Sequence, residues 1–189
     1  MWSSKEITLV IIFAAISLIY SATVIQIPKF LTGIIGLGYI LGFGMVIILN
    51  VAFLSFEGSR WKFISVVIIE RMLLSVILVY MGPTIFIKSI PLFAGKFIQD
   101  VIFNTIYGYF KKRNKLLWLT IIFSVTGLIL DVIFRILLFP FLISPEYTTS
   151  FIGTVSIMFP LIIFNGLFGG FLGHQIYNRI KSSSILQND

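Results

Sequence analysis

Six apolar runs, each long enough to cross a lipid bilayer, follow one another along this chain with only short polar breaks between them. They extend from about Ile7 to Ile27, Leu31 to Phe56, Phe63 to Met81, Ser89 to Phe110, Leu116 to Phe139, and Phe151 to Tyr177. A helix of about 20 apolar residues matches the hydrocarbon thickness of a membrane. Inside lipid every backbone polar group must be satisfied within the segment, so runs of this kind fold as helices. The expected fold class is therefore all-α: an integral membrane protein of six transmembrane helices forming a single domain, residues 1–189. Composition decides one further point. With 58% hydrophobic and 11% charged residues, and a mean hydropathy of +1.07, no stretch is left over for a soluble or nucleotide-binding domain. The first run is longer than a signal-peptide core and no small-residue cleavage site ends it, so it is read as a retained span.

Lysine and arginine set the expected orientation. With six spans, Lys5, Arg60, Lys62, Lys111, Lys112, Arg113, Lys115, Arg179 and Lys181 fall on one side, and Lys29 and Lys88 on the other. The positive-inside rule then puts both termini in the cytoplasm of a multi-pass protein of the cell (plasma) membrane. The net charge of +7 sits in the breaks, where it attracts anionic lipid; it is not a nucleic-acid footprint.

The stretch Pro91–Lys115 carries the chemistry. Lys96, Asp100 and Asn104 occur at four-residue steps inside an apolar helix, which stacks them on one face. Charge within a membrane is costly and usually functional. The fifth run repeats the pattern with Thr120, Ser124, Asp131 and Arg135. One reading is that Lys96/Asp100 and Asp131/Arg135 neutralise each other within their own helices. The other is a polar cavity among the last three spans, open to the outside and holding a small polar ligand. The matching depth of the two pairs favours the cavity. The candidate substrate-binding residues are Lys96, Asp100, Asn104, Asp131, Arg135 and Asn165. Lys96 and Arg135 would meet acidic or carbonyl groups, and Asp100 and Asp131 would meet N–H or cationic groups. Both charge signs in one pocket point to a zwitterionic or mixed donor and acceptor compound. Glu70 and Arg71 project about 100° apart and are not expected to face one groove together; structural pairing and ligand contact both stay open for them. Asn50 reads as an interhelical hydrogen bond. Gly166/Gly170 and Gly169/Gly173 form overlapping GxxxG patterns, which allow close helix approach. Pro140 is expected to end the fifth span, leaving Phe141–Thr149 as the longest loop.

The chain has no cysteine and a single histidine, His174. That removes disulfides, thiolate chemistry and any multi-histidine metal site. No hydrolase, metalloprotease or phosphotransferase motif is present, so neither an enzyme nor a cofactor is expected. The acids Glu70, Asp100 and Asp131 keep a stand-alone proton-coupled secondary transporter open as the alternative. A membrane enzyme acting on lipid or isoprenoid is a third class, without a visible catalytic group.

These features together resemble a known family. Six spans, both termini inside, small residues on the first span and a last span reading GLFGGFLG before Tyr177 and Arg179 look like the S component of energy-coupling-factor (ECF) vitamin transporters. The resemblance implies a substrate-capture subunit. It would bind a vitamin-like molecule from outside, near loops 24–32, 82–90 and 141–150, and deliver it through a transmembrane coupling protein and two ATPase subunits. The family's first span carries an AxxxA docking surface. Here Ala14 is followed at the fourth step by Leu18, and Ala15 by Ile19, so Ala14, Ser17, Ser21 and Ala22 would have to contact the partner helix.

Overall fold

The computed structural model of the chain describes residues 2–27, 31, 33, 37–78 and 82–183. Every regular element among them is helical. Helix α1 (Ser4–Tyr20) runs on through a wider π-helical turn, Ser21–Gln26. Helices α2 (Leu37–Leu41) and α3 (Phe43–Ser55) are parted only by Gly42. Then come α4 (Lys62–Ile77), α5 (Gly82–Lys112), α6 (Leu116–Leu142) and α7 (Pro145–Ser182). Among the described residues, three helices are long and apolar enough to cross a membrane: Ser4–Gln26, Leu116–Leu142 and Pro145–Ser182. Their exposed side chains include many large apolar ones, with Phe141 84% and Ile157 82% exposed. Exposed apolar side chains of that size suit contact with lipid.

Local chemistry fixes where these helices start. Ser3 and Glu6 form a reciprocal capping box at α1: the Glu6 N–H donates to Ser3 Oγ at 3.3 Å and the Ser3 N–H to Glu6 Oε2 at 2.8 Å. Ser144 caps α7 by accepting from the Tyr147 N–H, with Pro145 in the first turn, where its missing N–H costs nothing. This corrects the expected loop at 141–149. Helix α6 passes Pro140 and ends at Leu142, and only Ile143 and Ser144 separate it from α7. Residues 82–90 are likewise helical rather than a loop. The expected loop at 24–32 is helical over 24–26, within the π-helical turn, and its remainder lies largely outside the described residues.

Helix packing closes a ring. Helix α1 lies against α3 and α4, α4 against α5, α5 against α6, α6 against α7, and α7 returns to α3. The spatial order α1–α4–α5–α6–α7–α3 is not the chain order. One end of the ring holds an aromatic core, including Phe53, Phe63, Phe103, Tyr107, Phe123 and Tyr177. Phe53 and Phe123 stack with centroids 4.1 Å apart, and Phe63 meets Phe123 edge-on at 5.0 Å. The start of α1 and the end of α7 lie at this end. Glu6 is ion-paired with Lys62 there, and Glu57 with Lys111 at 2.7 Å. The three tryptophans, Trp2, Trp61 and Trp118, are exposed near the same end, as in an interfacial aromatic belt. A smaller cluster of Val132, Phe139, Phe151, Val155 and Ile162 joins α6 to α7 toward the other end.

The small-residue face of α1 turns inward. Ala14, Ser17 and Ser21 are all buried within the ring, and Ala22 is half-buried. The Ser17/Ser21 spacing left internal packing and a partner face equally open; the burial of Ala14, Ser17 and Ser21 answers to internal packing, while Ala22 keeps part of its surface exposed. Their small size lets α1 approach α3 and α4, so that face is consumed by the protein's own fold. The outward face of α1 carries Ile11, Ile12, Ile16 and Ile19 instead.

Candidate functional site

The ring encloses a cavity of about 430 Å³, within the size range of small-molecule sites. All six walls contribute to it. The stacked aromatic core closes it toward the chain termini, with Phe123 as part of its floor, and Lys88, Tyr147 and Phe151 line the opposite part.

Three charged pairs or partners shape the walls. On α6, Arg135 Nε donates to Asp131 Oδ1 at 2.9 Å, the i,i+4 pair visible in the sequence. On α4, Arg71 Nε lies 2.9 Å from Glu70 Oε2. Both residues line the cavity, which corrects the expectation that neighbours cannot share a groove. The long arginine stem bends back across the angle that separates the two Cα–Cβ bonds. On α5, Lys96 Nζ donates to Gln99 Oε1 at 2.8 Å, and Gln99 Nε2 donates to the Phe123 carbonyl of α6 at 2.6 Å. Gly127 makes room for this crossing: a Cβ there would strike the Gln99 amide. Farther along α5, Lys88 Nζ sits 4.0 Å from the centre of the Tyr147 ring.

Neutral polar groups complete the lining. Asn50 Nδ2 donates to Ser124 Oγ at 2.6 Å and to the Val46 carbonyl at 2.7 Å, the interhelical bond expected of it. Ser17 Oγ, Tyr39 Oη, Asn50 Oδ1 and Glu70 Oε1 are buried, belong to cavity-lining residues and have no hydrogen-bond partner among the described residues. Buried polar atoms are normally satisfied, so these four are available to a bound molecule.

Of the six candidate residues, Lys96, Asp131 and Arg135 line the cavity, while Asp100, Asn104 and Asn165 do not. Asp100 faces the start of α4. Its Oδ2 accepts from the Trp61 backbone N–H at 2.7 Å and its Oδ1 from Asn104 Nδ2 at 2.7 Å. Trp61 holds a left-handed conformation, φ 73°, just before α4. A carboxylate at that point satisfies one of the unpaired N–H groups of the helix start and meets the positive end of its dipole. Asn165 Nδ2 donates to the Tyr39 carbonyl at 2.6 Å and so fixes α2 against α7. Asp100→Ala is expected to lower stability by about 1–3 kcal/mol, the cost of an unsatisfied buried donor. Solute retention should survive, because the carboxylate does not reach the cavity. Thermal unfolding in detergent together with a retention assay on one preparation checks both halves.

Gln99, Lys88, Tyr39 and Tyr147 were not singled out from sequence. Only Gln99 gave a signal, its position three residues after Lys96, within side-chain reach on the same helix. The chain matches no protein-family model, no curated protein and no solved structure in comparisons with each.

Proposed function

We propose that this protein captures a small water-soluble molecule in the membrane, in the manner of the substrate-binding subunit of an ECF-type importer. In this reading the six helical stretches are six spans of a plasma-membrane protein with both termini in the cytoplasm. The observation that carries it is the cavity inside the helix ring, with charged and unsatisfied polar groups on its walls and an aromatic floor toward the termini. A membrane protein has no structural need for a hollow lined with charged side chains. Such groups in lipid mark substrate pathways. The basic residues gather at the floor end, so the positive-inside rule turns the cavity toward the exterior. A floor made of stacked rings suits a capture device: the solute enters from one side and waits there. Delivery would fall to a coupling membrane protein and its two ATPase subunits. With the small face of α1 buried, such a partner would meet an outer isoleucine-rich surface.

The test is mass spectrometry of the solute that co-purifies with the protein, followed by uptake into vesicles. A water-soluble solute is expected. Protein alone should not accumulate it under a proton gradient. Accumulation without any ATPase would make the protein a secondary carrier, and purification with no solute would remove the capture reading.

A further inference from the structure

We propose that the captured solute is an organic anion whose carboxylate or phosphate group docks on Lys96. The inference rests on the capture reading and adds the charge class of the ligand.

Six charged side chains line the cavity among the described residues: Arg71, Lys88, Lys96 and Arg135 are basic, and Glu70 and Asp131 are acidic. Each acid is engaged by the arginine beside it, Glu70 by Arg71 and Asp131 by Arg135, both at 2.9 Å. The two ammonium groups of α5 are left over, because neither Lys88 nor Lys96 forms an ion pair among the described residues. Lys96 is the decisive one. It is only 8% exposed, and it sits in the middle of α5, too far from either helix end for its stem to carry the charge out to water. Its hydrogen-bond partner is the neutral Gln99, which is itself held by the Phe123 carbonyl, and its ammonium also lies 5.9 Å from the centre of the Phe63 ring. The lysine is thus positioned but not neutralised. An uncompensated buried charge is strongly unfavourable, and an oxyanion supplied by the solute removes that cost.

The second ammonium has a different task. Lys88 lies eight residues before Lys96, about 12 Å along the helix, so one carboxylate does not serve both. Lying over the Tyr147 ring at the far end from the floor, Lys88 attracts anions toward the cavity before they reach Lys96. The unsatisfied acceptors Asn50 Oδ1 and Glu70 Oε1 call for N–H or O–H groups elsewhere on the same solute. The ligand class is then a small acid with hydrogen-bond donors, which falls under the mixed donor and acceptor compound of the two solute types that the sequence left open.

Benzoate and benzamide share a shape and differ in charge, which makes them the probes. Binding to solute-free protein in detergent is followed by thermal shift at matched ionic strength. Benzoate should raise the unfolding midpoint and benzamide should not. Lys96→Met should weaken benzoate binding by a factor on the order of thirty or more. The same substitution should raise the midpoint of the empty protein, because it removes a buried unpaired charge. A structural lysine would give the opposite shift. Equal responses to the two probes, no response to benzoate, or a less stable empty Lys96→Met protein would each overturn the proposal. So would a neutral or cationic co-purifying solute, with the capture reading left standing. An acidic phospholipid as the retained anion overturns it too, since the solute is proposed to be water-soluble.

Discussion

Gly170→Leu is expected to give no folded protein, and Gly170→Ala to lower stability by about 1–3 kcal/mol, the usual cost of overfilling a tight contact. Gly166 and Gly170 lie one turn apart on the face of α7 that meets α6. A Cβ on Gly170 would come within 2.7 Å of Ile121 Cα and 2.9 Å of the Thr120 carbonyl oxygen, and one on Gly166 within 2.9 Å of Val125 Cα. These obstacles are backbone atoms, which cannot rotate aside as a side chain can. The two helices must part. Parting them opens the ring, because on its other face α7 meets α3, where Gly169 and Gly173 abut Val46 and Asn50. Gly153, on the same helix, has no atom within 4 Å of its would-be Cβ. Gly153→Ala should therefore gain roughly 0.5–1 kcal/mol from helix propensity. Thermal unfolding of the two alanine variants side by side decides the matter. Equal midpoints would mean that α6 and α7 do not touch as closely as described.

The second large effect concerns Arg135. Arg135→Gln is expected to abolish solute binding and to destabilise the empty protein. It leaves Asp131, whose side chain is 11% exposed, without its counter-ion. The cost should fall between the ~1 kcal/mol of an exposed pair and the ~3–5 kcal/mol of breaking a buried one, since the cavity gives the arginine side chain 22% exposure. Adding Asp131→Asn removes the stranded charge. The double variant should regain most of the stability and none of the binding, because the guanidinium edge that faces the cavity is still missing. Normal binding in the single variant would confine Arg135 to holding α6 together.

The contrast between Arg135 and Asp100 shows what a single helix can and cannot reveal. Asp131/Arg135 was legible because a four-residue step brings two side chains together within one helix, whatever surrounds it. Lys96, Asp100 and Asn104 have the same spacing, yet they divide. Each four-residue step also rotates about 40° around the axis, so the row drifts from the cavity toward α4. There an uncapped helix start takes Asp100. The cap arises from the left-handed Trp61, thirty-nine residues away in the chain, and no local pattern announces it. The small residues of α1 failed as a docking surface for a related reason. Their spacing says that a helix approaches closely, but not whether that helix belongs to this chain or another.

From its order of residues alone, then, the chain dictated long apolar helices and the basic clusters between them. These depend on lipid-compatible length, on local hydrogen bonding and on charge, all of which act within a few residues. The fold in space decided the ring order α1–α4–α5–α6–α7–α3, the pairing of Glu70 with Arg71, the placing of Gln99 between Lys96 and the α6 backbone, and hence which charges are left unmatched in the cavity. Those outcomes turn on which neighbour each helical face meets. That is settled by close fit between helices far apart in the chain, which periodicity within one helix does not encode.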